Sequence, residues 1–263
     1  RRCSGGVPFL CYPFMSTNDA TMTTAYSARL AEALPRVRDR IADAVHAAGR
    51  DGRAVRLVAV TKAHPLEAVE AALGAGLSDL GENRIEELEG KVGALGRGAA
   101  TWHMIGHLQS RKARQALELA DLIHSVDSAK LATRLARMAE EDGRVVHVLA
   151  QVNTSGEAAK SGFELARAVD DLLPLAELPG LEIDGLMTMA PFGAEELILT
   201  RAFGGLREVH ERLRAQGARI GQELSMGMTN DLEIAIREGS TMVRIGTALF
   251  GPRAQKAFSG AGQ

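Results

Sequence analysis

The sequence predicts an α/β protein built as a single (β/α)8 barrel, a TIM barrel, with one helix ahead of it. Three observations carry that expectation. Short runs rich in Val, Ile and Leu alternate with stretches of three- and four-residue apolar periodicity, giving about eight strand–helix units. Most runs end on a polar residue or a glycine, as strands do where they open onto a loop. The 263 residues suit one barrel, a fold that takes about 250. A doubly wound open sheet is the alternative, but it leaves the short runs at 77 and 223 as awkward edges.

Taken in order, Leu30, Leu34, Val37, Ile41 and Val45 mark a helix that stops at Gly49, with Pro35 expected at its first turn or a kink. The first strand is Arg56-Leu57-Val58-Ala59-Val60-Thr61-Lys62, which meets the polar, proline-containing break Ala63-His64-Pro65. A helix follows over 66–73, stopped by Gly74 and Gly76. A short strand over 77–80 runs into Gly81-Glu82-Asn83, and 84–92 is helical. The third strand is Thr101-Trp102-His103-Met104-Ile105, followed by a basic helix with Arg111, Lys112 and Arg114. Strand 122–126 precedes a helix capped by Asp127 or Ser128 and ending at Glu141. The remaining strands are expected over 145–152, 181–189, 223–226 and 242–245, with helices over 163–173, 196–215 and 231–237.

Residues 1–24 stand apart. Arg1 and Arg2 precede a short apolar stretch broken by Pro8 and Pro13, with no clean small-residue cleavage site, which disfavours a secretion signal. The stretch reads as a disordered leader or an upstream extension with a start at Met15 or Met22; the barrel takes 25–255 and a tail 256–263. A net charge of −2 writes in no general pull toward nucleic acid or anionic membrane. No apolar run approaches the ~20 residues of a membrane helix. The 2 cysteines, Cys3 and Cys11, lie in the leader without metal-ligand spacing, and the cysteine-free remainder suits a reducing cytoplasm.

In such a barrel the residues that follow the strands share one rim, where chemistry is done. The rim collects Lys62, Asn83, the 103–109 segment, Ser125, Asn153, the 187–189 segment and the loops after the last two strands. Barrels place a phosphate site at those two loops, here Ser225-Met226-Gly227-Met228-Thr229-Asn230 and Arg244-Ile245-Gly246-Thr247. Gly227 and Gly246 permit close backbone approach, and Ser225, Thr229 and Thr247 bring hydroxyls. Asn230 with Glu233 makes an N-x-x-E cap for a helix whose first N–H groups face the rim. Arg244 adds a fixed charge and a planar donor fork. Each feature alone has a plainer reading: a solvated lysine, a helix cap, a structural ion pair, a core histidine at His103, and methionine packing at Met187, Met189, Met226 and Met228. A strand-end lysine, an anion cradle and an arginine on one rim together describe what pyridoxal 5'-phosphate (PLP) needs.

The motifs Val58-Ala59-Val60-Thr61-Lys62, Leu80-Gly81-Glu82-Asn83, Trp102 to Ser110, Lys160-Ser161-Gly162, Gly185 to Met189, Leu224 to Thr229 and Gly239 to Thr247 occur in one order along the chain. In that combination the sequence resembles the YggS/PROSC family, the pyridoxal phosphate homeostasis proteins. The resemblance implies a barrel like the N-terminal domain of alanine racemase, with PLP held as an aldimine on Lys62. It carries cofactor contacts onto Ser225, Met226, Thr229, Gly246 and Thr247, with Arg244 close by and Asn83 near the ring. It also implies a carrier or buffer of PLP in vitamin B6 homeostasis, without established catalytic turnover, which supplies apo PLP-dependent enzymes. A monomer is expected. The chain departs from the family at Thr229, where serine is usual, at His107, where proline is common, and at Arg84, where tyrosine is common.

Two other functions share these parts. A PLP-dependent racemase or decarboxylase needs acid/base groups on both faces of the substrate carbon. The 2 tyrosines, Tyr12 and Tyr26, lie in or near the leader, which leaves His103 as a substitute base. A Schiff-base aldolase on a sugar phosphate needs a proton-shuttling carboxylate, for which Glu82 is the obvious candidate.

Overall fold

Parallel pairing runs around a closed ring in the computed structural model, which describes residues 17–50, 55–157 and 161–252. The barrel strands are β1 (Arg56–Val60), β2 (Asp79–Glu82), β3 (Thr101–Met104), β4 (Leu122–Val126), β5 (Val146–Asn153), β7 (Leu181–Met187), β8 (Ile220–Ser225) and β9 (Met242–Ile245). They follow the order β4-β3-β2-β1-β9-β8-β7-β5, and pairing of β4 with β5 closes the barrel. A two-residue strand, β6 (Phe163–Glu164), pairs only with β5. The expected eight-stranded barrel is the fold observed.

Side chains alternate across each strand and sort into two layers. Val58, Leu122, Leu149, Met187 and Met242 form a small apolar cluster inside the barrel. Ala59, Leu80, Trp102, Ile123, Val148, Leu186, Leu224 and Val243 face outward into the larger core under the helices. Trp102 anchors that outer layer: it is fully buried, and its indole Nε1 donates to the Arg97 carbonyl at 3.1 Å.

Helix α1 (Thr17–Ala47) starts inside the stretch set aside as a leader and carries Pro35 in its interior, well past its first turn. The amphipathic face of Leu30, Leu34, Val37 and Ile41 is buried, so packing holds the helix together where Pro35 removes a backbone donor. Residues 1–16 and the tail 256–263, including Cys3, Cys11, Tyr12 and Met15, lie outside the described residues. Helices α2 (Leu66–Gly74), α3 (Ile85–Leu95), α5 (Ala129–Glu141) and α7 (Glu196–Ala215) follow the expected periodicity, while Arg111 and Lys112 of the expected basic helix lie in a 3-10 turn, Ser110–Lys112, ahead of α4 (Ala113–Leu119). Ser128 caps α5, its hydroxyl accepting from Leu131 N.

Two expectations are corrected. The single helix read over 163–173 is replaced by β6, α6 (Ala168–Leu172) and a 3-10 turn, Leu175–Glu177. Gly162, with φ +134, brings the chain against the β5 backbone, and Phe163 and Glu164 pair there before a helix can start. The seventh expected strand also shifts: β8 begins at Ile220 rather than 223, because Gly221 lets the chain approach β7 closely. A Cβ at Gly221 would lie 2.3 Å from the Asp184 carbonyl oxygen. A short helix, α8 (Leu232–Arg237), joins β8 to β9, and α9 (Thr247–Phe250) follows β9.

The interior cluster is small and has little room to relax. Leu149→Ala, at a site with 0% exposure, is expected to cost about 2–5 kcal/mol. Urea unfolding measures it, and an unchanged midpoint would contradict this account of the interior.

Candidate functional site

The C-terminal rim is built from strand ends whose inward positions are set by the alternation. On β1 the alternation turns Val58 and Val60 inward, and Lys62 sits half-buried two residues further, in the turn after the strand. Thr61 N donates to the Gly81 carbonyl at 3.1 Å, and His64 N donates to the Thr61 carbonyl at 3.0 Å, closing that turn. Ala63 takes a left-handed conformation, φ 59. On β2 the series Asp79, Gly81 continues to Asn83, also half-buried. Gly106 is pressed against it: a Cβ there would lie 2.2 Å from the Asn83 carbonyl oxygen.

The two expected anion loops lie side by side, with Arg244 N donating to the Gly227 carbonyl at 3.0 Å. Gly227 has φ +95, and a Cβ on it would meet that of Ala235 at 2.6 Å. Thr229 is half-buried, and Thr247 is exposed at the start of α9. Gly246 lies against β1, where a Cβ would approach the Val60 carbonyl oxygen to 3.1 Å. The N-x-x-E cap does not form. Asp231 is the N-cap of α8, and its carboxylate turns back to accept from Met228 N at 2.5 Å. Glu233 is drawn off to Arg40 of α1 at 2.7 Å, and the same guanidinium donates to the Thr229 carbonyl at 2.8 Å. Helix α1 thus braces the loop from outside.

Two expected contact residues sit elsewhere. The Met226 side chain is buried in the outer core, and its N–H donates to the Met242 carbonyl, so neither faces the rim. Ser225 is fully buried within the barrel. Its carbonyl and hydroxyl each accept from Arg244 Nη1 at 2.7 Å, and the hydroxyl lies 3.0 Å from His124 Nδ1.

Ser225 is one link of a polar chain through the barrel interior. His124 Nε2 lies 2.8 Å from His103 Nδ1, and His103 Nε2 lies 3.1 Å from Asp79 Oδ1. A guanidinium only donates, so one assignment satisfies every member. Arg244 donates to Ser225, Ser225 to His124, His124 to His103, and His103 to the Asp79 carboxylate. Arg244 also donates to the Thr188 carbonyl at 3.0 Å. Burial lowers its guanidinium to about 10, still charged at neutral pH. Burial, with His103, Arg244 and Arg56 nearby, pushes the His124 imidazole well below its ordinary value, so it is neutral. At Asp79 burial raises the carboxyl, but the His103 hydrogen bond and the nearby Arg56 charge bring it below its ordinary value. Sequence reasoning gave His103 a core role and missed Asp79 and His124. A histidine amid the apolar run of β4 was the available signal.

The other candidates are placed clearly. Glu82 points outward from β2, fully buried, 2.6 Å from Lys91 Nζ of α3, and away from the inward face that an aldolase proton shuttle would need. Tyr26 Oη lies 3.1 Å from His64 Nδ1, on α1 outside the barrel. Lys160 lies outside the described residues. Among the described residues no three His, Cys, Asp or Glu side chains are grouped to hold a metal, and no helix is long and apolar enough to cross a membrane.

The fold defines the class: the family described as alanine racemase, N-terminal domain, matches residues 33–254. Alanine racemase from Clostridium difficile shares the fold with a TM-score of 0.72 at 14% identity, over 87% of this chain and 58% of that one. A Pseudomonas aeruginosa protein named pyridoxal phosphate homeostasis protein is 45% identical over 229 residues, 85% of this chain and 96% of the relative. The structure of PipY from Synechococcus elongatus with PLP bound matches with a TM-score of 0.71 at 39% identity, over 80% of this chain and 100% of that one. The chain belongs to the pyridoxal phosphate homeostasis protein family.

The neutral His124 has a consequence for stability. It takes up a proton on unfolding below about pH 6.5 but not in the fold, so its contribution is complete above that value and lost as pH falls. The urea midpoint is expected to drop between pH 7.5 and 5.5, and His124→Asn to be less stable at pH 7.5 with a flatter dependence. His210, also lowered by burial, is present in both proteins. Equal slopes in the two would refute this assignment.

Proposed function

We propose that the chain binds PLP at this rim, holds it reversibly on Lys62 and buffers or delivers it in vitamin B6 homeostasis, without turning over a substrate. The observation that carries the reading is the half-buried Lys62 in the turn just past β1, on the same rim as the Gly227 and Gly246 loops. Membership of a family whose relatives bear the homeostasis name, and the PLP-bound PipY structure, support it. The donor set fits the cofactor's three functional ends. A lysine amine suits an aldehyde, loop backbone with the Thr229 and Thr247 hydroxyls suits a phosphate, and the Arg244 guanidinium suits a pyridine nitrogen. When bound, the cofactor would supply an electrophilic aldehyde, and the Lys62 amine is the group that would hold it.

The chain's own residues do the rest. Arg40 and Asp231 keep the 227–231 loop in shape through the Thr229 carbonyl and Met228 N–H. Arg244 is fixed as a donor by Ser225 and Thr188, so it would hold a pyridine nitrogen placed beside it unprotonated, and the ring would be a weak electron sink. Gly106 lets its loop close on the backbone of Asn83, the residue that would lie near the ring. A racemase needs a second base opposite the lysine. His103 is committed below the rim and Tyr26 is engaged with His64, which favours a carrier. The carrier reading extends to apo PLP-dependent enzymes as recipients, to a monomer and to the cytoplasm.

The test is the visible spectrum of purified protein with PLP before and after borohydride, with mass analysis of the reduced peptides. A yellow protein whose reduced adduct maps to Lys62 is expected. Lys62→Ala should lose the adduct and keep its helicity and solubility, since a half-buried rim side chain adds little packing. A colourless protein without adduct would overturn the reading. Amino-acid turnover dependent on Lys62 would overturn its carrier half.

A further inference from the structure

The turn that presents Lys62 is gripped from behind by one helix. On α3, Glu87 and Lys91 stand one turn apart and share a face. Glu87 Oε2 accepts from Ala63 N at 2.7 Å, and Lys91 Nζ donates to the Thr61 carbonyl at 2.8 Å. These two groups belong to the peptide links on either side of Lys62. Lys91 is itself anchored by Glu82, whose Oε1 accepts from both Lys91 and the Thr61 hydroxyl. The arrangement is costly to build. Lys91 and Glu82 are 7% and 0% exposed, Glu82 Oε2 has no hydrogen-bond partner, and Ala63 takes a left-handed conformation, φ 59. Surface ion pairs explain none of this, because an exposed pair would need neither burial nor a strained neighbour.

We propose that Glu87 and Lys91 of α3, with Glu82 behind them, are positioning residues that fix the backbone on both sides of Lys62 and so aim its amine into the barrel mouth. The inference rests on the reading of Lys62 as the cofactor-holding residue. The Lys91 ammonium fixes the carbonyl before the lysine and the Glu87 carboxylate fixes the amide after it. The side chain then starts from one backbone orientation rather than several. Both Glu87 and Lys91 act through the main chain.

The test uses the full chain in three variants. Glu87→Ala removes the acceptor at a half-exposed position, Glu87→Gln keeps a carbonyl oxygen there, and Lys91→Met with Glu82→Gln removes both buried charges while keeping their volume. In protein without PLP, hydrogen exchange at the Ala63 amide should quicken by about two- to tenfold in Glu87→Ala, the worth of one hydrogen bond, with the barrel strands unchanged. Reductive methylation of Lys62, read by peptide mass, should change by a similar factor. With saturating PLP, the borohydride-reducible fraction on Lys62 should fall in Glu87→Ala and recover in Glu87→Gln. It should also fall in the charge-free double variant, even where urea shows stability retained. Loading equal to the parent in Glu87→Ala and in the stable double variant would overturn the proposal. If the parent itself takes no PLP, the functional reading fails, and Lys62 methylation still decides this one: an unchanged rate overturns it.

Discussion

A guanidinium buried inside a barrel has to find acceptors on several sides, and the arrangement of this interior follows from where Arg244 finds them. It is 5% exposed, and Ser225 and Thr188 supply three oxygens, two of them backbone carbonyls at strand ends. Leaving such a charge unpaired would cost several kcal/mol, so β7, β8 and β9 are tied together at the level of the rim. The Ser225 hydroxyl accepts from Arg244 and donates to His124, which donates to His103, which donates to Asp79. At the far end Arg56 stands 3.9 Å from Asp79 and 3.5 Å from Glu223. The apolar cluster of Val58, Leu122, Leu149, Met187 and Met242 fills what this chain leaves open.

The eight strands and most helices were legible because they depend on local signals: apolar runs of four to six residues, glycine stops, and a cap such as Ser128. Lys62 and Asn83 were legible for the same reason, since each lies at the end of a run. Ser225 and Met226 show where that reasoning stops. Adjacent strand residues face opposite sides, and only the closed register shows that Ser225 turns under Arg244 while Met226 turns into the outer core. The Asn230–Glu233 box was plausible by spacing, but Asp231 sits closer to the Met228 N–H, and Glu233 has a better partner in Arg40, 193 positions away in sequence. Partners that distant leave no local trace. Glu82 was visible as a carboxylate near the lysine, but its facing was not.

Helix α1 is more than a preface to the barrel. Its buried face covers the outer core, Arg40 braces the loop that carries Thr229, Arg50 just past its end donates to the Ile236 and Ser240 carbonyls at 3.0 and 2.7 Å, and Tyr26 meets His64 beyond Lys62. One helix therefore touches the supports of both halves of the candidate site. Its apolar spacing announced the helix, while the arginine contacts depend on side chains reaching across the fold.

The opposite facing of neighbouring residues has an evolutionary consequence. At the ends of β1 and β2, Thr61 and Glu82 serve the wall while Lys62 and Asn83 serve the mouth. Inserting or deleting a single residue within either strand would exchange those roles, burying the lysine against α3 and turning the wall carboxylate into the mouth. Changes in length should therefore accumulate where the chain crosses from a helix to the next strand, away from the rim. Point substitutions at odd and even positions of the same strand should be judged by different criteria, packing on one side and ligand chemistry on the other.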